Sequence, residues 1–298
     1  MEKSLEANLV QKKSLWAFFK LIRLDYSLFG ALGVFLSGFL AGDLQGFQLE
    51  YFIAFIIVLF SAVGSFAFND YYDLKADKDN ERFDRPLVLG LLSKELALIT
   101  GSLSFLLAGF FSLFLNLVAA SLVLISLPIF FLYNLRLKKV LFVKNVLIAY
   151  AFVATILLGS LVSNTVLESL TIFFALMGFI VGIAYEIMLD IGDVKGDKVH
   201  GISTISTRFG LQTSAWISVV LYVSIMILDP LPFFLMVDSR LYGDCIFLLL
   251  ILIPVISYLL TSKSLIQDQS SNTIFRLKRR VFLTMQIGCI AYLVGVLL

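Results

Sequence analysis

Histidine and cysteine are nearly missing from this chain, and that removes several kinds of chemistry at once. His200 is the only histidine among 298 residues, so a multi-histidine metal site cannot be assembled. His200 reads as a solvated loop residue, and no second histidine is left for a triad. Cys245 and Cys289 sit in or beside apolar stretches and read as small buried hydrophobes, not as a disulfide, a metal site or a nucleophile. Charged residues make up only 15% of the chain, and the net charge is +2. With its basic residues spread over loops, the chain gives no basis for nucleic-acid binding. No cleavable leader is evident, because the first apolar run follows a charged tail without a convincing cleavage pattern.

What remains is mostly oil. Hydrophobic residues are 60% of the sequence and mean hydropathy is +0.98. Nine apolar runs are long enough to cross a bilayer, which takes about 20 residues each. They lie near 24–42, 51–70, 95–115, 118–135, 145–163, 168–188, 212–229, 243–262 and 281–298. If they alternate in direction, all but one of the 23 basic residues fall on one side, with only Arg240 on the other. That asymmetry places the N-terminus in the cytoplasm and the C-terminus outside. The expected fold is therefore an all-α integral membrane protein of about nine transmembrane helices, forming one domain over 1–298. Residues 5–22, with Trp16 and Phe19 among lysines, suit a position along the cytoplasmic interface. The run Arg276-Leu277-Lys278-Arg279-Arg280 reads as a positive-inside anchor.

One charged phrase occurs twice. Asp70-Tyr71-Tyr72-Asp73-Leu74-Lys75-Ala76-Asp77-Lys78 returns as Asp190-Ile191-Gly192-Asp193-Val194-Lys195-Gly196-Asp197-Lys198. All the identical positions are charged. Four spans separate the copies, which restores the same orientation. The simplest organisation is two four-helix pseudo-repeats, about 20–135 and 144–262, plus a ninth helix. The long cytoplasmic loops then lie at about 71–94 and 189–211, and long loops on one face place the function there.

Asp70, Asp73 and Asp77 are spaced i, i+3, i+7 and so share one stripe of a helix. Asp190, Asp193 and Asp197 repeat the stripe, and Glu186 extends it one turn inward. If the repeats face each other, these carboxylates converge at the cytoplasmic boundary. Crowded carboxylates resist ionisation unless positive charge lies among them. Lysines or a divalent metal could supply it, and a hard cation suits Asp oxygens better. Mg²⁺ takes one or two carboxylates and completes its shell with water and phosphate oxygens. Two Asp stripes holding Mg²⁺ would cradle a diphosphate. Arg23, Arg85, Arg136, Lys138, Lys139 and Lys198 would neutralise the remaining phosphate charge.

Asn69-Asp70-Tyr71-Tyr72-Asp73-Leu74-Lys75-Ala76-Asp77 resembles the N-D-x-x-D-x-x-x-D motif of the UbiA superfamily of intramembrane prenyltransferases. Asp84-Arg85-Pro86 resembles the element that follows it, and Asp190 to Asp197 resembles the family's second motif. Tyr133-Asn134-Leu135-Arg136-Leu137-Lys138-Lys139 is similar to its tyrosine-and-lysine loop. Two elements depart from the pattern. Arg23-Leu24 stands where the family often has Arg-Pro, and Val88-Leu89-Gly90-Leu91-Leu92 replaces a more polar segment. The resemblance implies transfer of a prenyl group from a prenyl diphosphate to a lipophilic acceptor, a quinone precursor or geranylgeranylglyceryl phosphate. It implies Mg²⁺, two ions bridged by the diphosphate. Asn69, Asp73, Asp77, Asp193 and Asp197 would be the metal ligands, and Asp70, Asp190 and Asn69 the catalytic groups. Arg23, Tyr72, Arg85, Tyr133, Arg136, Lys138, Lys139, Glu186 and Lys198 would contact substrate.

Two other functions use clustered acid at a membrane. A CDP-alcohol phosphotransferase would need Asp-Gly and Ala-Arg elements that the sequence lacks. A cation transporter would hold its acids near the midplane, whereas these lie at helix ends beside basic loops.

Overall fold

The computed structural model describes residues 14–44, 48–79 and 81–298, which are mostly helical with no strand among them. Nine helices among these residues are long and apolar enough to cross a membrane. They are α1 (Leu24–Ala41), α2 (Leu49–Asp79), α3 (Lys94–Ser112), α4 (Leu117–Leu135), α5 (Val143–Leu161), α6 (Ser169–Val199), α7 (Leu211–Leu228), α8 (Cys245–Gln267) and α9 (Ser271–Leu297). In lipid each backbone N–H and C=O must find its partner inside its own helix, and side-chain caps close the ends. Ser93 accepts from the Leu96 N–H at 3.1 Å, Asn116 from Ala119 at 3.0 Å and Asp244 from Ile246 at 2.8 Å. Part of the sequence 5–22 lies outside the described residues; of the remainder, 14–21 are helical.

The helix ends correct the expected loops. α2 continues to Asp79 and α6 to Val199, each 31 residues long, about 46 Å at the α-helical rise. Hydropathy stops each span near its first Asp, but the backbone does not. Each motif is therefore helical and stands beyond its span, and the loops shrink to the residues that follow. α9 likewise starts at Ser271, where Ser270 caps the Thr273 N–H at 3.3 Å. The basic run 276–280 is thus part of a helix.

The chain divides into two compact units. One contains the described residues up to Leu32 together with Phe52–Arg136. In it Phe68 of α2 meets Phe105 of α3 and Phe131 of α4 edge-on, both at 5.2 Å. Ala17 and Leu21 from the first helical segment bury against Leu87, Leu92 and Ala97.

The other unit contains Gly33–Tyr51 and Leu137–Leu298. Here α6, α7, α8 and α9 close a four-helix ring, with α5 packed along α6. Met188, Tyr222, Phe247 and Tyr258 fill the ring, and Tyr222 stacks on Tyr258 at 5.3 Å. The second half of α1 belongs to this unit. Gly159 lets α5 approach it closely, since a Cβ there would come 2.6 Å from the Ser37 Cβ. Ser37 donates to the Ile156 carbonyl. Arg240 forks onto the Phe39 and Leu40 carbonyls at 2.9 and 2.6 Å and onto Asp238 at 2.7 Å.

Candidate active site

The first motif is built around Asp70. Its side chain is only 1% exposed, and an acid so buried needs a cation. Two arginines supply it. Arg23 Nη2 lies 3.0 Å and Arg85 Nη1 3.4 Å from the same oxygen, Oδ1. Arg23 also donates to Asn69 Oδ1 at 3.0 Å, and Asn69 Nδ2 donates to Asp73 Oδ2 at 2.9 Å. One polar chain thus runs Arg23–Asn69–Asp73.

Arg23 owes its position to a break in the helix. Its φ is +44°, a left-handed conformation that side chains rarely adopt. Ser27 absorbs part of the disturbance by donating its hydroxyl to the freed Ile22 carbonyl at 2.7 Å. The guanidinium also lies 4.4 Å from the Phe66 ring centre. Burial first, then repulsion from Arg85, pulls the Arg23 pKa below its ordinary value, against the attraction of Asp70. Two guanidinium groups on one carboxylate oxygen leave positive charge for an anion to meet.

Arg85 follows a tight turn after α2. Glu81 has φ +52°, and the Arg82 N–H donates to the Asp77 carbonyl at 2.9 Å. Exposed Asp84 pairs with Arg82 at 3.1 Å. Burial opposes ionisation of Asp84, but the Arg82 hydrogen bond and charge outweigh it, and its carboxyl stays below the usual range. Tyr72 joins an aromatic group with Phe68 and Phe131, both at 6.3 Å. Tyr133 is half-buried on α4, and Arg136 is exposed at that helix's C-terminus.

The second motif repeats the logic with different partners. Asp190 is fully buried. Lys144 Nζ lies 2.5 Å from its Oδ1, and Asn145 Nδ2 donates to its Oδ2 at 2.9 Å. Both partners come from the first turn of α5. Glu186, one turn deeper and buried, has Lys144, Asp190, Lys278 and Asp193 as its charged neighbours. Asp197 is buried, while Asp193 and Lys198 are exposed. Lys138 is buried in a short 3₁₀ turn, Leu137–Lys139. The Ser203 N–H donates to the Lys139 carbonyl at 3.4 Å, so this turn is held against the segment that follows α6.

Sequence reasoning missed Lys144, Asn145 and Lys278. Each stands in a stretch that reads as a membrane anchor. Only the adjacent Lys-Asn pair opening a span, where an apolar start is the norm, marked the place.

Among the described residues, no three His, Cys, Asp or Glu side chains are gathered so as to hold a metal by themselves. The donors nevertheless suit Mg²⁺. They are hard oxygens, carboxylates stand one turn apart on each motif, and Asp70 Oδ2 and Asn145 Oδ1 are buried without a hydrogen-bond partner. Mg²⁺ needs only one or two carboxylates when phosphate oxygens and water complete its shell.

A family model described as the UbiA prenyltransferase family matches residues 30–290. The chain is 26% identical over 285 residues to a protein of Archaeoglobus fulgidus named digeranylgeranylglyceryl phosphate synthase, covering 95% of this chain and 96% of that one. A protein of the same name from Thermococcus sibiricus is 30% identical over 203 residues, 68% of this chain and 71% of its own length. A solved structure described as digeranylgeranylglyceryl phosphate synthase in membranes matches with a TM-score of 0.72 at 24% identity, covering 95% of this chain and 98% of that chain. A UbiA homolog from Archaeoglobus fulgidus bound to DMAPP and Mg²⁺ matches with a TM-score of 0.68 at 16% identity, covering 92% and 98%. The structural likeness shows a shared fold.

Proposed function

The chain belongs to the UbiA prenyltransferase family, and from that premise we propose that it attaches a prenyl group from a prenyl diphosphate to a glyceryl phosphate lipid already carrying one isoprenoid chain. The observation that carries the acceptor is the near full-length likeness to digeranylgeranylglyceryl phosphate synthase. Those relatives' name describes a product with two such chains on one glyceryl phosphate, so the acceptor is of the geranylgeranylglyceryl phosphate type. A quinone precursor has no comparable support.

When bound, Mg²⁺ offsets the negative charge that gathers on the departing diphosphate. We assign Asp73, Asp77, Asp193 and Asp197, with Asn69, to hold two such ions. Arg23, Arg85, Arg136, Lys138, Lys139 and Lys198 bind diphosphate oxygens and favour C–O cleavage, because their charge is already in place when the anion forms. The aromatic group around Tyr72, with Tyr133, shields the allylic cation from water and stabilises it through ring faces. Asp70 and Asp190 orient the acceptor hydroxyl and receive its proton, with Glu186 beside Asp190. Their cation partners hold both acids in place. The positive-inside pattern puts this chemistry on the cytoplasmic face, and the duplicated motif supports an origin from two repeats.

The test is diphosphate release from geranylgeranyl diphosphate by the purified protein. The acceptors are geranylgeranylglyceryl phosphate, 4-hydroxybenzoate and 1,4-dihydroxy-2-naphthoate. Release with the first alone, abolished by EDTA, is the expected result. Release with an aromatic acceptor instead refutes the acceptor assignment, and EDTA-resistant release refutes the metal.

A further inference from the structure

The first unit carries a helix that is apolar on both sides, together with a groove beside it, and the reaction uses neither. The helix, residues 14–21, lies outside the first span, which begins at Leu24. One side buries Ala17 and Leu21 against Leu87 and Leu92 of the segment 81–93. The other side presents Leu15, Trp16 and Phe19 outward, with Trp16 53% exposed. Lys20 Nζ lies 5.4 Å from the Trp16 ring centre. The segment 81–93 adds outward-facing Phe83, Leu89 and Leu91, of which Phe83 is 63% exposed.

Between the helix and the start of α3 lies a groove of about 260 Å³, lined by Leu15, Phe18, Leu92 and Leu96 with Ser14 as its one polar residue. Its apolar lining continues directly into exposed Ile99 and Leu103 of the α3 span. An exposed apolar surface continuous with a membrane span belongs in the bilayer interface. Tryptophan and leucine beside Lys20, in a helix that Lys12 and Lys13 precede in the sequence, match an interfacial helix drawn to anionic headgroups.

This surface is joined to the site by chain connectivity. Arg23 stands two residues after the helix, its N–H bonded to the Lys20 carbonyl at 3.2 Å. Arg85 stands two residues before buried Leu87. The apolar clasp of Leu21 on Leu87 and Leu92 therefore fixes the backbones that carry both guanidinium groups to Asp70. The polar segment expected here from the family pattern is replaced by Val88-Leu89-Gly90-Leu91-Leu92, the residues that this clasp and surface use.

We propose that residues 14–21 and 81–93 form one platform seated in the anionic headgroup layer, with a lipid chain in the groove, and that this seating positions Arg23 and Arg85 on Asp70. The catalytic half of the inference rests on the reading of those arginines as donor-binding groups; the lipid half does not.

The experiment uses the full chain with Trp216→Phe, which leaves Trp16 as its only tryptophan. It is reconstituted in phosphatidylcholine vesicles with and without phosphatidylglycerol. Bromine near the headgroup end of the acyl chains is expected to quench Trp16, more strongly with phosphatidylglycerol present. Unquenched Trp16 overturns the platform. So does blue-shifted emission without bromine quenching, which a second protein copy covering Trp16 would give. The coupling is read in Trp16→Gln/Phe19→Gln. Faster amide exchange over 81–93 is expected, with KM for the prenyl diphosphate raised about tenfold, the equivalent of one charge-assisted hydrogen bond. The kcat should change less, and Trp16→Phe/Phe19→Leu should restore both readouts. Quenching with unchanged exchange overturns the coupling, and a protein inactive on prenyl diphosphates still reports on it through exchange.

Discussion

Asp190→Ala tests whether the acid that opens the second motif is a structural anchor as well as a reacting group. Asp190 is fully buried, and Lys144 and Asn145 both converge on it. Removing one member of a buried ion pair costs about 3–5 kcal/mol, because the other charge is stranded. Lys144 retains 17% exposure, so its ammonium can turn partly to water, and the low end applies. The Asn145 amide loses its acceptor as well, adding about 1 kcal/mol. The expected loss is about 3–4 kcal/mol, a shift of more than a hundredfold in the unfolding equilibrium. The double variant Asp190→Leu/Lys144→Met replaces the pair with apolar bulk and should return to within about 1 kcal/mol of the parent. Equilibrium SDS titration in mixed micelles, followed by circular dichroism, measures all members of the cycle. A loss in Asp190→Ala below about 1 kcal/mol would place the change among ordinary substitutions and refute the anchor argument. So would a double variant no more stable than Asp190→Ala. Turnover should stay lost in the double variant even where stability returns.

Asp73→Ala and Asp193→Ala should each abolish diphosphate release while leaving expression and the unfolding midpoint near the parent; normal activity in both would refute the metal assignment. Lys138→Ala should weaken prenyl diphosphate binding about tenfold, the scale of one lost charged contact, and an unchanged affinity would move that role to Lys139 or Arg136. Arg240→Ala strands the Leu40 carbonyl, takes one of two donors from the Phe39 carbonyl and removes the charge beside Asp238, and should cost about 1–3 kcal/mol in the same SDS titration. Burial pushes the Asp238 carboxyl up, but Arg240 holds it below the usual range. The stability from this pair is therefore present above about pH 4 and lost as pH falls through the lowered pKa; Arg240→Ala should abolish that acid dependence, and its persistence would assign the titration to another group.

The nine spans were legible because lipid demands long uninterrupted apolar runs, and both Asp motifs were legible because charge has so little place among them. The helical register of Asp70, Asp73 and Asp77 also followed from spacing alone. The lengths of α2 and α6 did not, since hydropathy reports where apolar residues end and not where hydrogen bonding ends. Lys144 and Lys278 were hidden for a different reason. A lysine beside a span serves as an anchor whether or not it also pairs with a buried acid, and only packing separates the two. Asp70 shows the same limit from the other side. Its place in the motif was plain, but its pairing with Arg23 depends on a positive φ that no residue pattern announced.

The Arg240 fork on α1 has a consequence for how the chain is made. The carbonyl of Leu40 waits for a partner 200 residues downstream. At ribosomal speeds of about 5–20 residues per second, that wait is roughly 10–40 s. Throughout it the Leu40 carbonyl, already clear of the ribosome, bonds only to solvent or to the insertion machinery. A chain stalled before residue 240 leaves one carbonyl at the end of its first span without its protein partner, a mark that distinguishes an unfinished nascent chain from a finished one.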